Sequence, residues 1–140
     1  MILYRDSIDA IEPAQLAGGF FEGWPNPPAP ATHLRILKGS YAVILALDAA
    51  VDEAQPPVIG FINAISDGTL AAFIPLLEVL PAYRGGGIGT ALVERMLEKL
   101  RQFYAVDLIC DPDLNDFYRR FGMHPYNAMT RRQYERQSGA

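Results

Sequence analysis

The stretch Leu77-Glu78-Val79-Leu80-Pro81-Ala82-Tyr83-Arg84-Gly85-Gly86-Gly87-Ile88-Gly89-Thr90 decides how the rest of the chain is read. An apolar strand ends, a Pro-Ala-Tyr turn follows, glycines accumulate and a long amphipathic helix begins. The first amides of a helix have no partner within it, and the macrodipole behind them favours an anion. Glycine lets the backbone approach a phosphate and adopt positive φ without a Cβ penalty. Arg84 adds a fixed positive charge. The loop lacks the lysine of a P-loop nucleotide site. Thr90 stands where a dinucleotide fingerprint starting at Gly85 would need glycine. What remains is the pattern Arg-x-x-Gly-x-Gly, carried by Arg84, Gly87 and Gly89.

Upstream, three apolar runs read as strands: 41–47, buried on both faces, then Val58–Ser66, then 69–79. Asp67-Gly68 is a hairpin signal between the last two. Pro75 lies inside the third run, where proline fits only a bulged or parted ladder. Downstream, a helix over 87–103 carries Ile88, Leu92, Met96, Leu97 and Leu100 on one stripe. A strand over 106–110 and a short helix over 114–121, stopped by Gly122, come next. Residues 123–134 read as one or two weak strands.

At the other end, Ile2–Arg5 is a short strand. Asp9 and Glu12 form an expected capping box for a helix through Leu16-Ala17, with Pro13 in its first turn. A second helix over 31–38 ends at Gly39. Between these helices, Phe20-Phe21-Glu22-Gly23-Trp24-Pro25-Asn26-Pro27-Pro28 is broken by glycine and proline but rich in aromatics. Such a segment folds back on the core or lines a pocket. The whole order predicts an α/β fold with a mixed sheet. Early hairpins make it partly antiparallel, and the long helix makes one right-handed parallel crossover.

Composition bounds the function. The 140 residues fit one domain, 1–140, half hydrophobic and 20% charged. A net charge of -4 argues against a nucleic-acid partner. One cysteine, Cys110, excludes a disulfide framework, and two histidines argue against a metal site. No apolar run reaches the roughly 18 residues that span a bilayer, so no membrane partner is expected. The first six residues carry no signal-peptide pattern. The expectation is a soluble, reduced, cytoplasmic protein. Residues 1–83 hold three basic and nine acidic groups, and residues 84–140 hold nine and seven. The half with the glycine loop is the basic one, as an anionic ligand prefers.

The loop, its preceding strand and its following helix resemble the acetyl-CoA motif of the GNAT superfamily of N-acetyltransferases. Tyr118-Arg119-Arg120-Phe121-Gly122-Met123 resembles that family's Tyr-x-x-x-Gly-Phe, with Met123 in place of Phe. The order of elements matches over essentially the entire chain. The resemblance implies a GNAT-like sheet, mostly antiparallel, with one parallel splayed strand pair and flanking helices. It implies a transferase that moves acetyl from acetyl-CoA to a primary amine of a small molecule or peptide by direct attack. An acyl-CoA-binding sensor or regulatory module without catalysis is the alternative.

The resemblance also implies roles. Pantetheine bonds fall to the backbone of Leu77 and Val79. Pyrophosphate falls to Arg84, Gly85, Gly86, Gly87, Ile88, Gly89 and Thr90. The Leu77 N–H faces the thioester carbonyl, and Tyr118 protonates the departing CoA thiolate. Phe73 stands where histone-type members place a glutamate base, eleven residues before the arginine. Asp111, Asp113, Glu22 or a water chain are the open alternatives. Glu78 is turned from the Leu77 face by strand alternation. Phe21, Glu22 and Trp24 fall on the acceptor wall. Cys110 is expected to pack, His33 to sit at the surface or cap its helix, and Tyr83 to pack under the loop. Arg131, Arg132 and Arg136 form a basic tail available to a homodimer partner.

Overall fold

The computed structural model describes residues 1–140. Five strands form one sheet in the order β1-β2-β3-β4-β5. They are β1 (Ile2–Arg5), β2 (Ala42–Asp48), β3 (Val58–Ser66), β4 (Ala71–Val79) and β5 (Ala105–Leu108). The first four pair antiparallel, and β4 pairs β5 in parallel. Three helices, α1 (Pro30–Lys38), α2 (Ile88–Lys99) and α3 (Asn115–Arg119), complete it. No helix is long and apolar enough to cross a membrane.

All seven residues of β2 are buried, because the sheet is covered on both faces. Ile44 and Ile62 face α2, in a cluster with Leu92, Met96 and Leu100. Leu45 and Phe61 face α1, in a cluster with Leu16, Leu34 and Leu37. The α2 stripe holds as read, with Val93 buried as well and Leu97 only partly. Gly60 of β3 is the point of closest approach. A Cβ there would lie 3.3 Å from the Glu78 carbonyl, 3.3 Å from Leu92 and 3.4 Å from Ile88. Its bare backbone lets the first turns of α2 sit against the sheet and so sets where the glycine loop begins.

Pro75 acts where the site needs it. The β4–β5 ladder runs only from Ala71↔Ala105 to Ile74↔Leu108. In the β3–β4 ladder the partners of Asn63 and Ile65 are Leu76 and Phe73, so β4 carries one extra residue across Ile74-Pro75. Beyond the bulge β4 stays paired to β3 alone, through Val79↔Gly60. Pro75 has no N–H to offer either neighbouring strand at the point where the β4–β5 ladder ends.

Four sequence readings are corrected. The expected helix after Asp9 is a single 3-10 turn, Pro13–Leu16. Its cap partner is Gln15, whose Oε1 accepts the Glu12 amide at 2.9 Å; the Asp9 amide instead donates to Ser7 Oγ. The third strand starts at Ala71, because Asp67 Oδ1 accepts the Thr69 and Leu70 amides and prolongs the hairpin turn. The long helix stops at Lys99, with Leu100 at its C-cap. Residues 123–134 form no strand; only a 3-10 turn, Tyr134–Arg136, follows. Tyr126 and Met129 are fully exposed there, and the outer edge of β5 is unpaired.

Gly60→Val drives two methyl groups into the Leu92–Ile88 contact. We expect a loss of about 1–3 kcal/mol from overpacking, read as a lower midpoint in urea denaturation.

Candidate active site

The glycine loop is open and left-handed where the reading requires it. Gly85 and Gly87 have φ of 83° and 85°, and no atom lies within 4 Å of the Cβ that either lacks. Gly87 caps α2 with no side-chain hydrogen bond, and the first turn of α2 holds no acidic residue. The leading amides of α2 therefore face outward as donors. Tyr83 braces the approach to the loop: its hydroxyl donates to Asp48 Oδ2 at 2.7 Å. That bond holds the Asp48 carboxyl below the usual range and the phenol above it.

Two guanidinium groups flank this helix end. Arg84 Nε donates to the Val79 carbonyl at 3.0 Å, and its Nη2 lies 3.6 Å from Glu22 Oε2. Arg120 Nη2 donates to Thr90 Oγ1 at 3.1 Å while its guanidinium stacks on Phe117 and Phe121. Sequence reading missed Arg120. Its signal was a cation inside the Tyr118–Gly122 motif, one helical turn past Phe117.

The gap beyond Pro75 has polar walls, and hydrogen-bond parity shows which. The Leu80 amide donates to the Ile59 carbonyl at 2.8 Å. In an antiparallel ladder the bonded residues alternate, so Glu78 and Leu76 also point their amides at β3. Leu77 and Val79 then turn their N–H and C=O the other way, into the space that β5 has left. The bond from Arg84 to the Val79 carbonyl agrees with this parity.

The GNAT acetyltransferase family model matches residues 12–123. The chain belongs to this family. A crystal structure of a Deinococcus radiodurans R1 protein assigned as an acetyltransferase is 47% identical, with a TM-score of 0.92 over 99% of this chain and 93% of that one. A GNAT-family acetyltransferase structure from Streptococcus pneumoniae TIGR4 is 26% identical, with a TM-score of 0.74 over 95% and 98%. Among curated proteins, "Probable acetyltransferase TAP2" of Glycine max is 32% identical over 108 residues, 72% of this chain and 43% of that protein. "Uncharacterized N-acetyltransferase ycf52" of Pyropia yezoensis is 28% identical over 102 residues, 71% and 57%. The chain thus spans about half the length of these curated relatives.

Within the GNAT frame the candidate residues divide between the two faces of the sheet. Leu77, Val79, Cys110 and Tyr118 pack in the cluster on the α2 face. Tyr118 is buried, and desolvation raises its phenol to about 12. It also lines a groove of about 990 Å³ with Leu108, Cys110 and Asn115. The Cys110 thiol, half-buried and near Asp111 and Asp113, is pushed up, which opposes thiolate formation.

Phe21 and Leu76 pack in the cluster on the α1 face. Glu78 is half-buried and accepts the Phe21 amide at 2.9 Å. Burial raises its carboxyl above the ordinary range, against the opposing pull of that amide and of Arg84. Phe21 is wedged into the core at 3% exposure with a left-handed φ of 64°. Burying a phenylalanine contributes about 1.5–3 kcal/mol, enough to offset about 1–2 kcal/mol of left-handed strain. Of the three acceptor-wall residues, Phe21 is thus committed to the core. Trp24, 37% exposed and 4.9 Å from the Phe21 ring, and Glu22 remain at the surface.

His33 corrects another reading. It is buried at 1% exposure, not on the surface, with Phe20, Phe21 and Phe61 around its ring and no partner for Nε2. Desolvation lowers its pKa to about 4. The unfolded chain titrates near 6.5, so it takes up a proton that the folded protein refuses between those values. Stability should fall by up to about 3 kcal/mol as pH drops from 6.5 to 4. Thermal melts across that range check this, and His33→Leu should flatten the dependence.

Proposed function

We propose that residues 1–140 form one acetyltransferase domain that transfers acetyl from acetyl-CoA to a primary amine of a small molecule or peptide. The observation that carries this reading is the parting of β4 and β5 at Pro75 beside an open anion loop, with Tyr118 on the same face. Pantetheine lies in the gap against Leu77 and Val79. Pyrophosphate lies on the amides of Gly85, Gly86, Gly87, Ile88, Gly89 and Thr90, between Arg84 and Arg120. The acceptor approaches from the α1 face, past Trp24 and Glu22. Its acidic half favours a cationic amine. The reaction takes place in the cytoplasm.

The Leu77 N–H donates to the thioester carbonyl as it becomes an oxyanion, a role in which one fixed donor is worth several kcal/mol. The amine attacks directly, and the carbon–sulfur bond breaks. Tyr118 stays protonated at every working pH. Its raised pKa also sets a limit, because a thiol titrates near 8.5 and full transfer from a phenol near 12 runs uphill. Tyr118 therefore donates a hydrogen bond to the departing thiolate and keeps its proton throughout. Neither Phe73 nor Glu78 supplies the base. Phe73 occupies the histone-type position, and Glu78 is engaged by Phe21 on the opposite face. A water chain removes the amine proton. A homodimer belongs to this reading, with Arg131, Arg132 and Arg136 available to the partner.

Tyr118→Phe should lower kcat by about 100-fold and leave the KM for acetyl-CoA near its native value. The native pH–rate profile should rise with amine deprotonation and show no falling limb below pH 10, because Tyr118 ionises only near 12. Transfer over a panel of amines, followed by CoA release, reads both. Tight CoA binding with no transfer to any amine would favour the sensor instead.

A further inference from the structure

Arg84 spans two elements that have no sequence reason to meet. On one side its Nε holds the Val79 carbonyl, which lies at the mouth of the β4–β5 gap. On the other its Nη2 faces the Glu22 carboxylate at 3.6 Å. Glu22 belongs to the 18–24 segment, and that segment is clamped at its neighbour by the bond from the Phe21 amide to Glu78. The segment is also wound tightly. Gly19, Phe21 and Gly23 all take positive φ, and the Trp24 amide donates to the Phe21 carbonyl at 3.1 Å. Its ring anchors are core residues, while Glu22 and Trp24 face outward.

We infer that Glu22 is an internal stand-in for the cofactor's phosphate and, through Arg84, a positioning residue that ties the acceptor wall to the cofactor site. The inference rests on the acetyl-CoA reading above. Bound cofactor needs the Val79 carbonyl that Arg84 now holds and the Arg84 guanidinium itself. Pantetheine competes for the Val79 carbonyl, and pyrophosphate competes for the guanidinium. A phosphate diester accepts the Arg84 fork bidentately beside a row of helix amides. Glu22 meets it as one exposed carboxylate. The phosphate therefore wins, Glu22 is set free, and the Gly23–Trp24 turn loses its link to the loop. Phe21 and Glu78 keep the base of the segment in place, so the change is confined to Glu22, Gly23 and Trp24. Cofactor binding thereby resets the wall against which the amine docks. The ion pair is exposed on both sides, so the competition is small.

Trp24 is the only tryptophan of the chain, which makes the effect readable. CoA is titrated into the native protein and into Glu22→Gln, with Trp24 fluorescence and calorimetry in parallel. Native Trp24 emission should change saturably with CoA. Glu22→Gln should bind CoA about two- to five-fold more tightly, and its free emission should already match that of the bound native protein. In steady state Glu22→Gln should lower the KM for acetyl-CoA and raise the KM for the amine. Equal CoA affinity in both proteins, or Trp24 emission indifferent to CoA and to the substitution, overturns the inference and leaves the acetyl-CoA reading standing. Failure of CoA to bind either protein overturns both. Glu22→Asp, which keeps the charge but shortens the reach, separates the two contributions. It should behave like Glu22→Gln if the contact with Arg84 matters and like the native protein if only local charge does.

Discussion

Everything functional in this protein depends on where one ladder stops. Sheet hydrogen bonds satisfy backbone groups that are otherwise costly to leave unpaired. A strand that abandons its neighbour therefore needs a reason and a replacement. The reason is Pro75, which offers no donor and sits at a one-residue bulge against β3. The replacement is proposed to be the cofactor, whose pantetheine amides can take up the backbone groups of Leu77 and Val79. Four residue pairs before the break hold β4 to β5, and the β3 ladder after it holds β4 rigid. The gap is thus built into a stiff frame, which suits a site that must fix a thioester within reach of a donor.

The break also connects the two faces of the sheet. The α2 face carries the glycine loop, the two arginines and Tyr118. The α1 face carries the aromatic anchor and the outward Trp24 and Glu22. At the C-terminal end of β4 the glycine loop on one face comes within reach of Glu22 on the other. Glu78 reaches one way to Phe21, and Arg84 reaches from the loop toward Glu22. Gly60 contributes from beneath, because its missing side chain allows α2 to start close enough for the loop to overhang this end.

Much of this was legible from the chain alone, where a local rule controls the outcome. The glycine loop, the apolar run of β2 and the Pro75 anomaly each have a short-range physical meaning, and each took its expected place. The misreadings came where a distant partner decides. Asp9 and Gln15 both offer a cap chemistry, and the choice depended on Gln15 being drawn in by the Pro56 carbonyl. His33 lies four residues before Leu37, on the buried side of α1. A lone histidine in a short amphipathic helix nonetheless does not announce three phenylalanines around it. Arg120 and Thr90 are 30 residues apart, and only the docking of α3 against the start of α2 joins them. The 123–134 tail offers β-forming residues, but a strand needs a neighbour, and none is paired with it here.

Leu77 presents its amide to the β4–β5 gap while Glu78 presents its own to β3. Residue-resolved amide hydrogen exchange, with and without CoA, tests it most directly. Leu77 should exchange fast in the free protein and become strongly protected on adding CoA, and Glu78 should be protected in both states. Equal protection of Leu77 and Glu78 without CoA, or a Leu77 amide that CoA leaves unprotected, would contradict it.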